Sequence, residues 1–275
     1  MKTFFLFSIL FSSLTVPAQY FYKDILGTKQ STELIRNYKT NNVNRVVLNS
    51  YDANNTKNDA FYVEQLFTSD SLKTITRSGD EDGSTLISHI NDKGQVIKTV
   101  ERSDALTSTT IYEYTPEGLL NSITSTSSDS SGAFVQTEEH KWLYNGDRID
   151  KMWRIKNKTD TTLVQFKIDE QGNIVEEQSI RNNAKADPVY YYYDGKNRLT
   201  DIVRFNQKAQ RLLPEYMFEY SPSNQVIQKI TVPSNNSDYL IWRYQYDASG
   251  LKIKEAIYNK QKQLSGKIEY VYQRG

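Results

Sequence analysis

The chain has 275 residues, 37% of them hydrophobic, enough to bury a core in one large domain or two small ones. Its 34 Lys and Arg balance 33 Asp and Glu, so it lacks the basic field that gathers phosphates, which argues against general nucleic-acid binding. With no cysteine, disulfides, thiolate chemistry and cysteine-ligated metals are excluded, and 20 Tyr beside only 12 Gly and 6 Pro suit strands and turns better than helices.

At the start, Met1-Lys2, the apolar run Phe4 to Val16, and then Pro17 and Ala18 have the charged head, short apolar middle and small-residue end of a secretory signal peptide. Cleavage is expected after Ala18. The run is too short for a bilayer, which takes about 20 apolar residues, and no later segment reads as a membrane helix. The chain is therefore expected to be exported to the periplasm or the medium, with a signal peptide over 1–18, an N-terminal cap over 19–60 and a repeat domain over 61–275. Within the cap, Ser31 to Lys39 predicts a short helix with Ser31 or Thr32 as N-cap, and Val43 to Leu48 predicts a strand. This segment is expected to cover the first edge of the sheet, because an open edge invites pairing with other chains.

From there one pattern returns: an aromatic, any residue, then a Tyr or Ile anchor, a small polar residue, and a Gly or Asn four places after the anchor. The anchors are Ile90, Tyr114, Tyr144, Ile168, Tyr193, Tyr220 and Tyr246, with a period near 25 residues. Gly94, Gly118, Gly172, Asn197, Asn224 and Gly250 hold the fourth place; after Tyr144 comes Asn145-Gly146 instead. Gly and Asn reach positive φ most cheaply, so each anchor is expected to end a strand at a tight turn. The aromatic two places earlier shares the anchor's face, because strand side chains alternate. A weaker unit starts at Phe67, and Ile268, Tyr270 and Tyr272 repeat the strand at the far end. The prediction is an all-β antiparallel meander of hairpins with about 15 or 16 strands.

The two clearest units, Tyr191-Tyr192-Tyr193-Asp194-Gly195-Lys196-Asn197-Arg198-Leu199 and Tyr244-Gln245-Tyr246-Asp247-Ala248-Ser249-Gly250-Leu251, resemble the YD repeat of RHS and teneurin-type proteins. The units around Tyr114 and Ile168 are similar but degraded. The resemblance covers roughly residues 60 to 275 and implies a wound β-sheet that encloses a cargo or displays a binding surface, here in a small exported bacterial relative without the cargo. It implies no catalysis.

A meander of that many strands must roll up, since open twisted sheets rarely exceed about ten strands. The aromatic row then lines the inside of a curled sheet or barrel, where bulky rings fill the space or leave a groove. A membrane-spanning barrel is disfavoured by the strand faces: the strand from Ile174 carries Glu176 and Gln178 on one face and Glu177 on the other. The strand from Leu251 likewise places Lys252 and Lys254 opposite Glu255.

The inventory for chemistry is thin. His89 and His140 lie in different repeats without an evident carboxylate partner and read as partly exposed strand residues. Glu138-Glu139 and Glu176-Glu177 are adjacent pairs, so their members point to opposite faces and read as solvated charge. Asp80-Glu81-Asp82-Gly83 reads as an acidic turn rather than a calcium loop. No metal site, cofactor motif or catalytic constellation is predicted. Aromatics carry the functional signal: Tyr190 and Tyr192 face away from the inner row, and Trp153 falls outside it. The expected function is a non-enzymatic binding scaffold, with a glycan stacked on those rings as one reading. The alternatives are a protein-interaction part of an envelope or secretion assembly, an enzyme working in a groove, and an outer-membrane barrel.

Overall fold

The computed structural model describes residues 20–79, 81–103, 106–233 and 238–275, with the side chains of Glu81 and Asp82 also left aside. The expected signal peptide and Asp80 lie outside the described residues, whereas Glu81 to Gly83 of the expected acidic turn run as strand, with Glu81 paired to Ser78. Helix α1 spans Lys23–Thr40 and precedes nineteen strands. These are β1 (Val43–Asp52), β2 (Lys57–Phe67), β3 (Ser71–Ser78), β4 (Glu81–Ile90), β5 (Val96–Arg102), β6 (Leu106–Tyr114) and β7 (Leu120–Asp129). There follow β8 (Val135–Asn145), β9 (Arg148–Lys156), β10 (Asp160–Ile168), β11 (Ile174–Arg181), β12 (Ala184–Lys185) and β13 (Val189–Tyr193). The last are β14 (Leu199–Asn206), β15 (Arg211–Tyr220), β16 (Val226–Thr231), β17 (Leu240–Tyr246), β18 (Lys252–Tyr258) and β19 (Leu264–Arg274).

Every strand pairs antiparallel with its neighbour in sequence, except that β12 and β13 are two pieces lying successively beside β11. β19 returns to pair with β1 from Val43↔Arg274 to Asp52↔Gly266. The meander is thus a closed barrel of 18 strands, more than the 15 or 16 expected. Closure removes the free edge, so there is no edge for the N-terminal segment to cover.

The turns have the form read from the sequence. In the unit after Ile90, the Asn91 N–H donates to the Gln95 carbonyl and the Gly94 N–H to the Asn91 carbonyl, each at 2.9 Å. The same pair of bonds recurs after Tyr114, Ile168, Tyr193, Tyr220 and Tyr246. Gly94, Gly118, Gly172, Asn197, Asn224 and Gly250 all take positive φ. Asp after the anchor has its own reason: the Oδ1 atoms of Asp169, Asp194 and Asp247 accept the backbone N–H four residues on. After Tyr144 the hairpin is tighter, with Asn145 opposite Arg148 and Gly146 at φ 66°.

Anchors face the lumen together with the aromatic two places before. Tyr112, Trp142 and Tyr191 are buried there with Ile123, Met152, Val164 and Ile202. The outward faces carry charge in the middle of strands, as in the cross-strand pairs Lys167–Glu176 and Arg45–Glu64.

Helix α1 is twice the expected length and starts earlier, without a side-chain N-cap. Thr32, a candidate cap in the sequence, sits inside it and bonds back to the Thr28 carbonyl at 2.8 Å. The helix lies within the ring. Tyr38 donates its hydroxyl to Gln65 on β2 and packs on Tyr272 of β19, Asp24 meets His140 on β8, and Tyr20 packs on Tyr216 of β15. Strands from all around the barrel converge on one helix only if it runs through the lumen.

Candidate functional site

Three outward rings were singled out by the sequence, and all three point out. Tyr192 is 48% exposed. Tyr190 is half-buried, opposite Glu176 and Val203 in register. Trp153, also half-buried, stands opposite Lys141 and Leu163. Trp153 lies on β9 and the tyrosines on β13, so β10 and β11 separate them. In the strand order between them is a polar groove of about 250 Å³ lined by Asp150, Lys151, Gln165, Lys167, Glu176 and Gln178 and by Phe166, whose ring stacks on Trp142 inside the barrel. Lys167 and Glu176 form an ion pair across it at 2.9 Å. The groove therefore presents two amides, two ammoniums and two carboxylates, with Trp153 on the strand of Lys151 and Tyr190 opposite Glu176 in register.

The lumen holds a second polar cluster that sequence reasoning missed. His140 is 7% exposed, with Nδ1 2.6 Å from Asp24 and Nε2 2.9 Å from Glu138, and Arg154 donates to Glu138 at 2.7 Å. Burial by itself lowers the imidazole pKa, but the Asp24 and Glu138 carboxylates outweigh it and raise the value to about 9. Burial likewise pulls the Glu138 pKa upward, and His140 and Arg154 overcome this to hold it at about 2. His140 is thus not the partly exposed, unpartnered residue expected. Both its ring nitrogens are engaged, so it clamps α1 to the wall and leaves no nitrogen for a substrate. His89 faces outward on β4, on the opposite side of the sheet.

Glu177 corrects a second expectation. It is 2% exposed rather than solvated, and it accepts the N–H groups of Phe21 and Tyr22 at 2.8–3.0 Å and the Tyr191 hydroxyl at 2.8 Å. Burial raises its pKa, against the pull of those donors. Its neighbour Glu176 remains outside in the groove. The alternation of faces was legible, whereas the backbone amides that Glu177 accepts lie 155 and 156 residues away, beyond any local pattern.

Fold and site together define a closed β-barrel with a helix in its lumen and a polar groove on its outer wall. No protein-family model and no curated protein matches the chain. Among solved structures, a porin-like protein from Bacteroides uniformis is similar at a TM-score of 0.43 and 10% identity, covering 84% of this chain and 98% of that one. A porin-like protein from Bacteroides vulgatus has a TM-score of 0.29 at 11% identity over 84% of this chain and 98% of that one. A chain of the Photorhabdus luminescens Tc holotoxin pore has a TM-score of 0.31 at 12% identity over 78% of this chain and 12% of that one.

Proposed function

We propose that the protein is an exported, non-enzymatic binding module of the YD-repeat type that holds a glycan in the outer groove between Trp153 and Tyr190–Tyr192. The observation that carries this reading is the groove's composition. Sugar hydroxyls need donors and acceptors side by side, which the amides of Gln165 and Gln178 and the carboxylates of Asp150 and Glu176 supply. The apolar face of a sugar ring stacks on aromatic rings, which Trp153 and Tyr190 offer beside the groove residues Lys151 and Glu176. The rigid wall of paired strands fixes these groups without a folding step on binding.

The test is co-sedimentation of the purified protein with insoluble polysaccharides and peptidoglycan. Selective pelleting that a soluble oligosaccharide reverses, and that Tyr192→Ala or Trp153→Ala weakens at least several-fold with little change in melting temperature, supports the reading. Absence of pelleting on every polymer overturns it and turns attention to a protein partner for the same face.

A further inference from the structure

The lumen is wider than the helix inside it. A barrel of 16–18 strands is wide enough to leave an aqueous channel, and α1 with its side chains is about 10–12 Å across. On one side the inward residues against the helix segment are buried: Trp142, Met152, Val164 and Tyr191. On the wall made by β15 to β18 the inward residues Phe218, Lys229, Trp242, Tyr244 and Glu255 are only half-buried. Their direction follows from register. Tyr244 is opposite Glu255, which is opposite the core residue Ile268, and Phe218, Lys229, Trp242 and the buried Ile257 form one row across four strands. Across from this wall α1 turns an exposed face with Lys29, Glu33 and Arg36. Glu33 lies near enough that, after burial and Glu255, it helps push the Tyr246 phenol up to about 12. An exposed helix face and a half-buried stretch of wall thus both lie inside the barrel.

The charges of that wall do not balance. Glu255 is taken by Lys252 at 3.2 Å and by the Tyr270 hydroxyl at 3.2 Å. Among the described residues no carboxylate oxygen lies within 4.0 Å of the Lys229 ammonium, which sits 4.9 Å from the Trp242 ring centre. Burial depresses its pKa, with Glu255 acting in the other direction. A partly desolvated ammonium with no carboxylate in contact is unfavourable, and an anion beside it relieves that cost. Phe218, Trp242 and Tyr244 add apolar surface around it.

We propose that this inner compartment is a ligand site for a small organic carboxylate with an apolar or aromatic body, its carboxylate paired with Lys229 and its body against Phe218, Trp242 and Tyr244. The site is separate from the outer groove. The experiment is calorimetric titration of the purified protein with 2-naphthoate and with the neutral 2-naphthalenemethanol. The carboxylate is expected to bind and the alcohol to bind at least tenfold more weakly. Lys229→Gln is expected to reduce carboxylate affinity at least tenfold, Lys229→Arg to retain most of it, and Tyr192→Ala to leave it unchanged. No binding of 2-naphthoate, equal binding of the alcohol, or undiminished binding to a folded Lys229→Gln protein overturns the proposal. If Lys229→Gln fails to fold, the comparison of acid and alcohol on the unaltered protein decides.

Discussion

The hydroxyl of Tyr114 donates to the backbone carbonyl of Val96 at 2.8 Å, so the anchor of one hairpin is fastened to the return strand of the hairpin before it. The same bond joins Tyr144 to Leu120, Tyr193 to Ile174, Tyr220 to Leu199, Tyr246 to Val226 and Tyr272 to Lys252, all at 2.7–2.9 Å. A second tie runs between turns: Gln95 donates to the Gly118 carbonyl, Arg198 to the Ser221 carbonyl and Gln225 to the Gly250 carbonyl. Tyr at the anchor is therefore a lateral fastener as well as a core ring, which an anchor isoleucine cannot be.

Tyr220→Phe keeps the ring and removes only that hydroxyl bond, leaving the Leu199 carbonyl without it. The expected loss is about 1 kcal/mol of unfolding free energy, since a typical internal hydrogen bond contributes that much. Tyr114→Phe is too distant to couple, so the double variant loses the sum. Denaturant titration of both singles and the double checks this, and a double variant far from additive contradicts independent fasteners.

The clamp around His140 sets a pH window. Its folded pKa of about 9 lies above the unfolded 6.5, so its contribution is fully present below about pH 6.5 and is lost as pH rises through about 9. Glu138 runs the other way: with a folded value of about 2 against 4.5 unfolded, its contribution is present above about 4.5 and lost as pH falls through 2. Unfolding free energy is expected to be highest between about pH 4.5 and 6.5 and to fall toward pH 10, with His140 contributing on the order of 3 kcal/mol of the loss and melting temperature following it. His140→Gln is expected to be less stable at pH 6 and to show a flatter alkaline limb. An unchanged limb means that another group sets it.

Among the described residues, Glu177 is the sole side-chain acceptor for two successive backbone amides at the entry to α1. Glu177→Ala orphans both N–H groups and the Tyr191 hydroxyl, at about 3 kcal/mol or more. Glu177→Gln keeps one acceptor oxygen and is expected to lose less. Limited proteolysis reads the local consequence, as faster cleavage within residues 20–40 of the Ala variant. Cleavage there at the unaltered rate shows that other contacts hold the segment.

Trp142 and Tyr192 separate core from surface. Trp142 is 1% exposed and stacked on Phe166 at 5.4 Å, so Trp142→Ala is expected to cost about 3–5 kcal/mol. Tyr192 is half out of the wall, and its replacement by Ala is expected to change stability by less than about 0.5 kcal/mol. Thermal or denaturant melts of the two variants check the contrast. A large loss at Tyr192 makes it a packing residue and removes it from the outer groove's binding surface.

By itself the sequence determined the hairpins: where each strand ends, which residues take positive φ, and which side of the wall Tyr190, Tyr192, Trp153 and the anchors face. Those properties are local, set by turn chemistry within five residues and by a two-residue alternation, so a single unit of about 25 residues contains the information. Only the tertiary structure decided that β19 meets β1 and that α1 runs 18 residues inside the ring. It alone turned His140 and Glu177 from apparent surface residues into buried clamps on Asp24 and on the Phe21 and Tyr22 amides. These outcomes depend on partners more than 100 residues apart, brought together when curvature accumulated over many strands closes the sheet. A closed barrel of this width leaves a lumen that must be filled with something, and the polar groups placed inside it then need partners that no stretch of neighbouring sequence displays.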